Sequence, residues 1–258
     1  MKLEFYKPKN NLLNQYIEGY YFISESENPH PLNYWTFPNN FFILSVSQNV
    51  EIVFDKEKII IRPSAEKKTI ANFVSRYRKP IEVLFETAVN EITLYFKPLG
   101  INHFINNTEL LFRYDGSEDF EPFSDFKSKM EEIFLNEDRN LQIEFLENYW
   151  LSKFHPQPTS LKYEILKDVE SELKIDEIAR KHQFSRQHLN KLFLKNIGKS
   201  PSEYRKIHRF RNSILQQKVS KNLTELSYTA SFYDQSHLIK DFKELSNIRC
   251  FDVEEILR

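Results

Sequence analysis

The last third of the chain contains one residue pattern twice, and this repeat limits the possible folds more than any other feature. The first copy spans residues 175–193 and the second spans 223–242. A Glu and a Phe lie seven residues apart in both copies. A His-Leu pair begins four residues after the Phe in the first copy and five in the second, so that Tyr233 is the single insertion.

Each copy predicts a short helix, a tight turn, a polar capping residue and a second helix with a basic exposed face. This is the order of a helix-turn-helix. Two such units in tandem predict binding to double-stranded DNA.

Charge is distributed in a way that supports this interpretation. The formal net charge is −1, yet residues 180–258 carry 16 Lys and Arg against 8 Asp and Glu. Residues 180–221 contain 12 basic residues and one acid, Glu203. A solvated helical face would also explain a basic run, but its coincidence with the repeated helix pair favours a phosphate-binding surface.

Length and composition bound the protein class. A chain of 258 residues is typical of two domains, and 40% apolar with 28% charged residues is typical of a soluble globular protein. No apolar run resembles a signal peptide or approaches the ~18 residues of a membrane helix. We therefore expect a cytoplasmic protein without a membrane partner. One cysteine, Cys250, excludes an internal disulfide and a Cys-based zinc site.

The first half of the chain has the pattern of a β domain. After an opening helix around residues 10–19, short β-rich segments separated by Pro and Asn turns occupy 41–46, 51–54, 58–61, 81–85 and 91–96. Strands at this spacing predict an antiparallel sandwich or small barrel. Apolar residues at helical spacing then follow in 100–112, 123–135 and 141–154.

The segment His155–Ser160 contains two prolines and is the best candidate for a linker. The predicted organisation is a β domain with trailing helices at 1–155, a linker at 156–160 and a helical domain at 161–258. Seven short helices fit into the helical domain. The predicted fold class is α+β.

In the first unit, Ser185 is predicted to cap the second helix. The side chains predicted to face inward are Ile175, Ile178, Ala179, Phe184, Leu189, Leu192 and Phe193. The outward side chains on its first two turns, which we predict to contact bases, are Arg186, Gln187, Asn190 and Lys191. Gln and Asn pair with adenine edges in the major groove, and Lys pairs with guanine.

In the second unit, Asp234 is predicted to cap the second helix, with Leu238 and Phe242 facing inward. The side chains predicted to contact bases are Gln235, Ser236, Ile239 and Lys240. Ile239 would meet a thymine methyl group.

Pro201 is well placed in the first turn of a helix that connects the two units. A rigid connecting helix would hold the two recognition helices ~34 Å apart, about one turn of DNA. The residues predicted to contact phosphates are Lys195, Arg205, Arg209 and Arg211, although one or two of these would equally be explained as solvated side chains.

Residues 161–258 resemble the DNA-binding domain of AraC/XylS-type transcriptional regulators. The resemblance rests on Glu177-Ile-Ala179, Phe184-Ser185, His188-Leu189, Leu192-Phe193, the turn Gly198–Tyr204, and Phe232–Leu238 with Asp241-Phe242-Lys243. It implies sequence-specific DNA binding and transcription regulation. The positions that it implies for base contacts are Gln187, Asn190 and Lys191 in the first unit and Gln235, Ser236, Ile239 and Lys240 in the second. The family usually has Gly where Gln183 and Ser231 stand, and a left-handed backbone there costs roughly 1 kcal/mol. Its closing Gly-x-x-Pro turn is replaced by Asn247–Cys250, with Val253 at a usual aromatic position.

The N-terminal half has a weaker similarity to the cupin-like sensory domain of the same family, carried by Leu94–Gly100 and Tyr20-Tyr21-Phe22. Aromatic residues that would line an effector pocket, or equally fill a β core, are Tyr34, Trp35, Phe37, Phe41 and Phe42. His30, His103 and His155 are too scattered in sequence to predict a metal site.

The first hypothesis is a DNA-binding regulator whose N-terminal half binds a small-molecule or protein effector, forms a homodimer, or does both. The alternative is a cupin-type enzyme or small-molecule-binding protein with a helical interaction tail. A third reading is a regulator without a ligand. We expect no catalytic residues, metal or cofactor.

Overall fold

The computed structural model describes residues 1–24, 32–55, 57–112, 119–217, 220 and 222–247. The chain divides into two compact units. The β-rich unit comprises residues 1–33, 41–75 and 82–157, and the helical unit comprises 34–40, 76–81 and 158–258. Two stretches from the predicted first domain, 34–40 and 76–81, thus cluster with the helices.

The first sheet of the β-rich unit has five strands in the order β1-β2-β9-β4-β7, and its four neighbouring pairs are antiparallel. The strands are β1 (Lys2–Tyr6), β2 (Ile17–Ser24), β4 (Phe42–Gln48), β7 (Thr69–Val74) and β9 (Asn90–Phe96). Alternate residues such as Tyr20 and Phe22 of β2 or Leu44 and Val46 of β4 are buried in one core. This alternation follows from the two-residue period of a strand.

The second sheet has the order β3-β8-β6-β5. It contains β3 (Leu32–Thr36), β5 (Val50–Asp55), β6 (Lys58–Pro63) and β8 (Ile81–Phe85). The β5–β6 pair is antiparallel, whereas β6 and β8 run parallel. The predicted α+β class is confirmed, with the difference that the second sheet is mixed.

The predicted opening helix is shorter than expected. Only α1 (Leu13–Tyr16) is helical, and Ile17–Ser24 form β2. Pairing of β2 with both β1 and β9 outweighs the local helical tendency of residues 17–19.

Gly100 lies shortly after the last strand, close to the end of α1. An added Cβ at Gly100 would lie 2.3 Å from the Tyr16 carbonyl oxygen, so a side chain there would clash with the backbone.

Helices cover one face of the first sheet. A 3-10 helix (Gly100–His103) precedes α2 (Thr108–Leu111), α3 (Phe126–Phe134) and α4 (Arg139–Lys153). The Trp150 ring lies 5.0 Å from that of Phe96 and 5.5 Å from that of Phe104, so aromatic contacts join α4 to the sheet. The Asp138 side chain caps α4 by accepting a 2.7 Å hydrogen bond from the Asn140 amide.

The described part of the helical unit contains six helices from residue 158 onward. They are α5 (Ser160–Glu170), α6 (Ile175–Lys181), α7 (Arg186–Ile197), α8 (Pro201–Gln216), α9 (Leu223–Thr229) and α10 (Gln235–Ser246). The seventh helix predicted from the sequence would follow Asn247 and lies outside the described residues, as do Cys250 and Val253. None of the helices in the described ranges is long and apolar enough to cross a membrane.

Candidate nucleic-acid interface

The two repeated segments fold into helix pairs of equal size. The first helix of each pair, α6 or α9, has seven residues, and the second, α7 or α10, has twelve. Residues 182–185 join the first pair, and residues 230–234 join the second. The inserted Tyr233 therefore lengthens the second turn and leaves both helices unchanged.

Both turns contain a non-glycine residue in the left-handed region, as predicted. The φ angle is 59° at Gln183 and 62° at Ser231. In each turn the next residue, a phenylalanine, donates its amide back across the turn. Phe184 donates to the Ala179 carbonyl and Phe232 to the Ser227 carbonyl, both at 2.8 Å. These bonds satisfy helix-end carbonyls and help to offset the backbone cost of about 1 kcal/mol.

Both predicted N-caps are present. Ser185 Oγ accepts a 3.1 Å hydrogen bond from the His188 amide at the start of α7. Asp234 Oδ1 accepts a 2.7 Å bond from the His237 amide at the start of α10. These caps fix where each recognition helix begins, and therefore which side chains occupy its first turns.

The first recognition helix presents the predicted residues on one surface. Leu189 and Phe193 are buried beneath α7, whereas Arg186, Gln187 and Lys191 are exposed and Asn190 is partly exposed. Arg186, Gln187 and Asn190 line an open groove of about 450 Å³ together with Ser200, Pro201 and Ser202 at the start of α8. Arg186 Nη1 also lies 3.4 Å from Asp176 Oδ1. The arrangement leaves donors and acceptors available to base edges.

The second recognition helix presents a less charged surface. Gln235, Ser236, Ile239 and Lys240 are all exposed, while Leu238 and Phe242 are buried. The Gln235 side-chain amide donates a hydrogen bond to Thr224 Oγ1 on α9, which leaves its carbonyl oxygen as an acceptor. Ile239 is 46% exposed, an arrangement suited to contact with a thymine methyl group.

The four predicted phosphate contacts lie in different environments. Lys195 is exposed and Arg211 is partly exposed. Arg205 Nε donates a 2.6 Å hydrogen bond to the Val169 carbonyl oxygen at the end of α5. The Arg209 guanidinium lies 5.3 Å from the centre of the Phe232 ring and 3.4 Å from His237 Nε2. Burial lowers the pKa of both arginines. The guanidinium groups of Arg205 and Arg209 thus contact protein atoms in the helical unit.

Each unit also has an aspartate that meets a histidine, which sequence reasoning missed. In the first unit, Asp168 Oδ2 lies 2.6 Å from His182 Nε2, and Lys181 donates a 2.7 Å bond to Oδ1. That bond from Lys181 is the main reason that the pKa of Asp168 is lowered. In the second unit, Asp241 Oδ2 lies 3.2 Å from His237 Nε2. Asp168 lies on α5 and His182 in the turn after α6, whereas His237 and Asp241 lie one turn apart on α10, so no single spacing predicts both pairs.

Glu203 is a second missed feature. It lies in the first turn of α8 and is held by two arginines of the 76–81 stretch, with Arg76 Nε at 2.9 Å and Arg78 Nε at 3.4 Å from Oε1. Burial raises the pKa of Glu203, but the hydrogen bonds and charges of the two arginines outweigh burial and lower it overall. The only sequence signal was that Glu203 is the one acid in residues 180–221.

The aromatic residues considered for an effector pocket are divided between the two units, with Tyr34, Trp35 and Phe37 in the helical unit and Phe41 and Phe42 in the β-rich unit. Phe42 stacks on Phe73 in the core of the β-rich unit at 5.2 Å. Phe37 is buried in the helical unit with Phe210, at a ring distance of 6.3 Å. Tyr34 and Trp35 are exposed. The core-filling alternative therefore holds for Phe37 and Phe42.

No group of three or more His, Cys, Asp or Glu side chains among the described residues could hold a metal. His103 and His155 approach each other through backbone, since the His155 amide donates a 2.8 Å bond to the His103 carbonyl. His30 lies outside the described residues.

Comparison with known proteins supports the interpretation of the first unit. Residues 166–206 match the family model of bacterial regulatory helix-turn-helix proteins of the AraC family, and this range includes α6, α7 and the start of α8. A search of curated proteins finds no match.

Solved structures with a similar chain course include ToxT from Vibrio cholerae. A 1.65 Å structure is 13% identical, covering 90% of this chain and 98% of that chain, with a TM-score of 0.44. Wild-type ToxT from strain SCE256 with a bound unsaturated fatty acid is 14% identical, covering 90% and 97%, with a TM-score of 0.45.

Proposed function

We propose that this chain, a DNA-binding transcriptional regulator of the AraC type, binds one DNA site with α7 and α10 in two successive major grooves. The observation that carries the proposal is the pair of capped recognition helices with equal length and exposed polar faces. The connecting helix α8 has 16 residues and is about 24 Å long, so it separates the two units by a rigid element.

The side chains proposed to read bases are Arg186, Gln187, Asn190, Lys191, Gln235, Ser236, Ile239 and Lys240. Lys195 and Arg211 are proposed to contact backbone phosphates, which position the protein and make binding depend on salt. Arg205 and Arg209 are left out of the phosphate set because their guanidinium groups contact protein atoms.

The N-terminal half acts as a cupin-like sensory domain for a small-molecule or protein effector, as a homodimer contact, or as both. The protein works in the cytoplasm without catalysis, metal or cofactor. The predicted domain limits, 1–155 and 161–258, are retained as sequence limits, although residues 34–40 and 76–81 cluster with the helices.

Selection of bound DNA from a random pool tests the proposal. We expect enrichment of two short half-sites about 10 base pairs apart, with an affinity that falls steeply as salt rises. Recovery of no consensus by folded protein at low salt would contradict sequence-specific binding. A consensus with one half-site would contradict the use of both units.

A further inference from the structure

Two stretches of the β-rich half of the sequence are built into the helical unit. We call residues 34–40 and 76–81 the clasp. Phe37 of the clasp is only 5% exposed. It belongs to the same apolar cluster as Ile207 and Phe210 of α8 and Phe242 of α10. The clasp therefore completes the core beneath the second helix-turn-helix.

Tyr77 holds the two stretches of the clasp together. Its hydroxyl donates to the Phe37 carbonyl oxygen. It also lies 2.8 Å from Thr36 Oγ1 and accepts a 3.0 Å hydrogen bond from the Asn39 side chain. Burial raises the pKa of Tyr77 to about 12. A buried hydroxyl with three partners gives the clasp one defined arrangement.

The clasp also forms hydrogen bonds with the first turn of α8. Arg76 binds the Glu203 carboxylate with both Nε and Nη2, at 2.9 and 2.7 Å, which is a bidentate pair. Asn40 donates a 3.0 Å bond to the Tyr204 carbonyl oxygen. The side chain of Arg76 is 35% exposed, so this pair can be removed without opening an apolar core.

We propose that the clasp is a positioning element for DNA binding, with Arg76 and Phe37 fixing α8 and thereby the separation of the two recognition helices. The proposal rests on the proposed function. Its geometric basis is that one rigid piece contacts the start of α8, next to the first unit, and the core of the second unit.

The position of the clasp in the chain gives it a regulatory consequence. Residue 40 lies two positions before the first residue of β4. Residues 75–80 connect β7 to β8, and the last residue of the clasp, Ile81, is the first residue of β8. A change in the structure that displaces the ends of these strands would also displace the clasp, because the clasp is covalently continuous with them. Its contacts with α8 would then change. DNA binding would then depend on the state of residues that touch no DNA.

The test measures the affinity of the full chain for three kinds of DNA. The first is the selected site with both half-sites, the second has one base pair added or removed between them, and the third contains a single half-site. One base pair rotates one half-site by about 35° relative to the other. We expect the wild-type protein to prefer the selected spacing. Arg76→Ala should bind the selected spacing about tenfold more weakly and should discriminate less between the selected and the altered spacings. Its affinity for the single half-site should equal that of the wild type.

Two variants and one control make the result specific. Arg76→Lys keeps the charge but not the bidentate pair, so it should restore part of the spacing preference. Tyr77→Phe removes one hydroxyl and leaves Arg76 in place. It should also reduce the preference for the selected spacing. Arg62→Ala removes an arginine from an exposed pair with Glu86 in the β-rich unit and should change nothing.

The outcomes separate this inference from the proposed function. Wild-type protein that binds no selected site would defeat the proposed function. Wild-type protein with a clear spacing preference that Arg76→Ala and Tyr77→Phe both retain would overturn the role of the clasp alone. An equal loss for full and single half-sites would also overturn it, because that result indicates a weakened fold and not altered positioning.

Discussion

The two helix-turn-helix units share their backbone but differ in what surrounds it. In the first, Phe184 is partly exposed against His188, and the recognition surface contains Arg186 and Lys191. In the second, Phe232 is 5% exposed, lies under Arg209, and belongs to a core that includes Phe37. The repeat thus conserves turns and caps, which local geometry demands, while support and surface diverge.

This difference indicates that the two units contribute to DNA binding and stability in different ways. The first unit has the more charged recognition surface, which favours hydrogen bonds to bases and phosphates. The second unit has the apolar Ile239 on its surface and a buried cluster below it that includes Phe232 and Phe37. We expect the second unit to be more sensitive to core substitutions and the first to be more sensitive to salt.

The largest expected effect comes from the phenylalanines after the two turns. Phe232→Ala should lower the free energy of unfolding by about 3–5 kcal/mol because it leaves a cavity in a closed core. Phe184→Ala should cost about 1–2 kcal/mol because its ring is partly solvated already. Urea unfolding followed by circular dichroism measures both.

Tyr233→Ala is the matched control, since its side chain is 89% exposed and next to Phe232, and it should stay within about 0.5 kcal/mol of the wild type. Equal losses for Phe184→Ala and Phe232→Ala would show that the two units are supported alike.

The side chains that we propose to read bases should show the next largest effect. Lys191→Ala and Gln235→Ala should each weaken the selected site by roughly 1–3 kcal/mol and relax the choice of one or two base pairs. The two affected positions should lie about one DNA turn apart. Binding to all single-base variants of the site, at fixed salt, locates them.

Lys243→Ala on the C-terminal turn of α10 provides the control, because Lys243 is exposed and lies beyond the first two turns of the helix. If neither Lys191→Ala nor Gln235→Ala alters base preference in folded protein, both recognition faces have been assigned wrongly.

The basic residues should separate into two kinds. Lys195→Ala should weaken all DNA sequences alike and lower the slope of log affinity against log salt by about 1. Arg209→Ala should leave that slope unchanged and instead lower the free energy of unfolding by about 1 kcal/mol, because it loses its contact with Phe232. Titrations at four salt concentrations, with parallel melting curves, distinguish the two. A reduced slope for Arg209→Ala would restore its predicted phosphate contact.

The smallest expected effect concerns the left-handed turn residues. Gln183→Gly and Ser231→Gly should each stabilise the protein by roughly 0.5 kcal/mol, since relief of backbone strain exceeds the entropy that glycine adds to the unfolded chain. The opposite change, Gly198→Ala, places a side chain at φ 78° and should destabilise the protein. Melting temperatures of the three variants provide the measurement, and destabilisation by both glycine substitutions would mean that the native side chains make compensating contacts.

Much of the proposed DNA-binding surface could be predicted because it depends on residues close together in the chain. Ser185 and Asp234 cap the helices that follow them, Gln183 and Ser231 take the left-handed conformation, and the apolar spacing of α7 and α10 decides which side chains remain outside. These relations extend over three to five residues. The class of the fold followed similarly from short strands followed by helical periodicity.

Other features required the tertiary structure. The sequence of α8 does not distinguish Arg209, which faces Phe232 and His237, from Arg211, because the difference depends on residues more than 20 positions away. The parallel pairing of β6 with β8 and the short α1 likewise depend on distant partners.

The sequence by itself therefore determined two capped helix-turn-helix units, their outward residues and an α+β chain, because hydrogen bonds and periodicity within a few residues specify them. Only the tertiary structure decided that Phe37 and Arg76 belong with α8, more than 120 residues further along the chain. The reason is physical. Burial of an aromatic ring and bidentate pairing of a carboxylate with an arginine stabilise whichever partners the folded chain brings together, and sequence spacing carries no record of that choice.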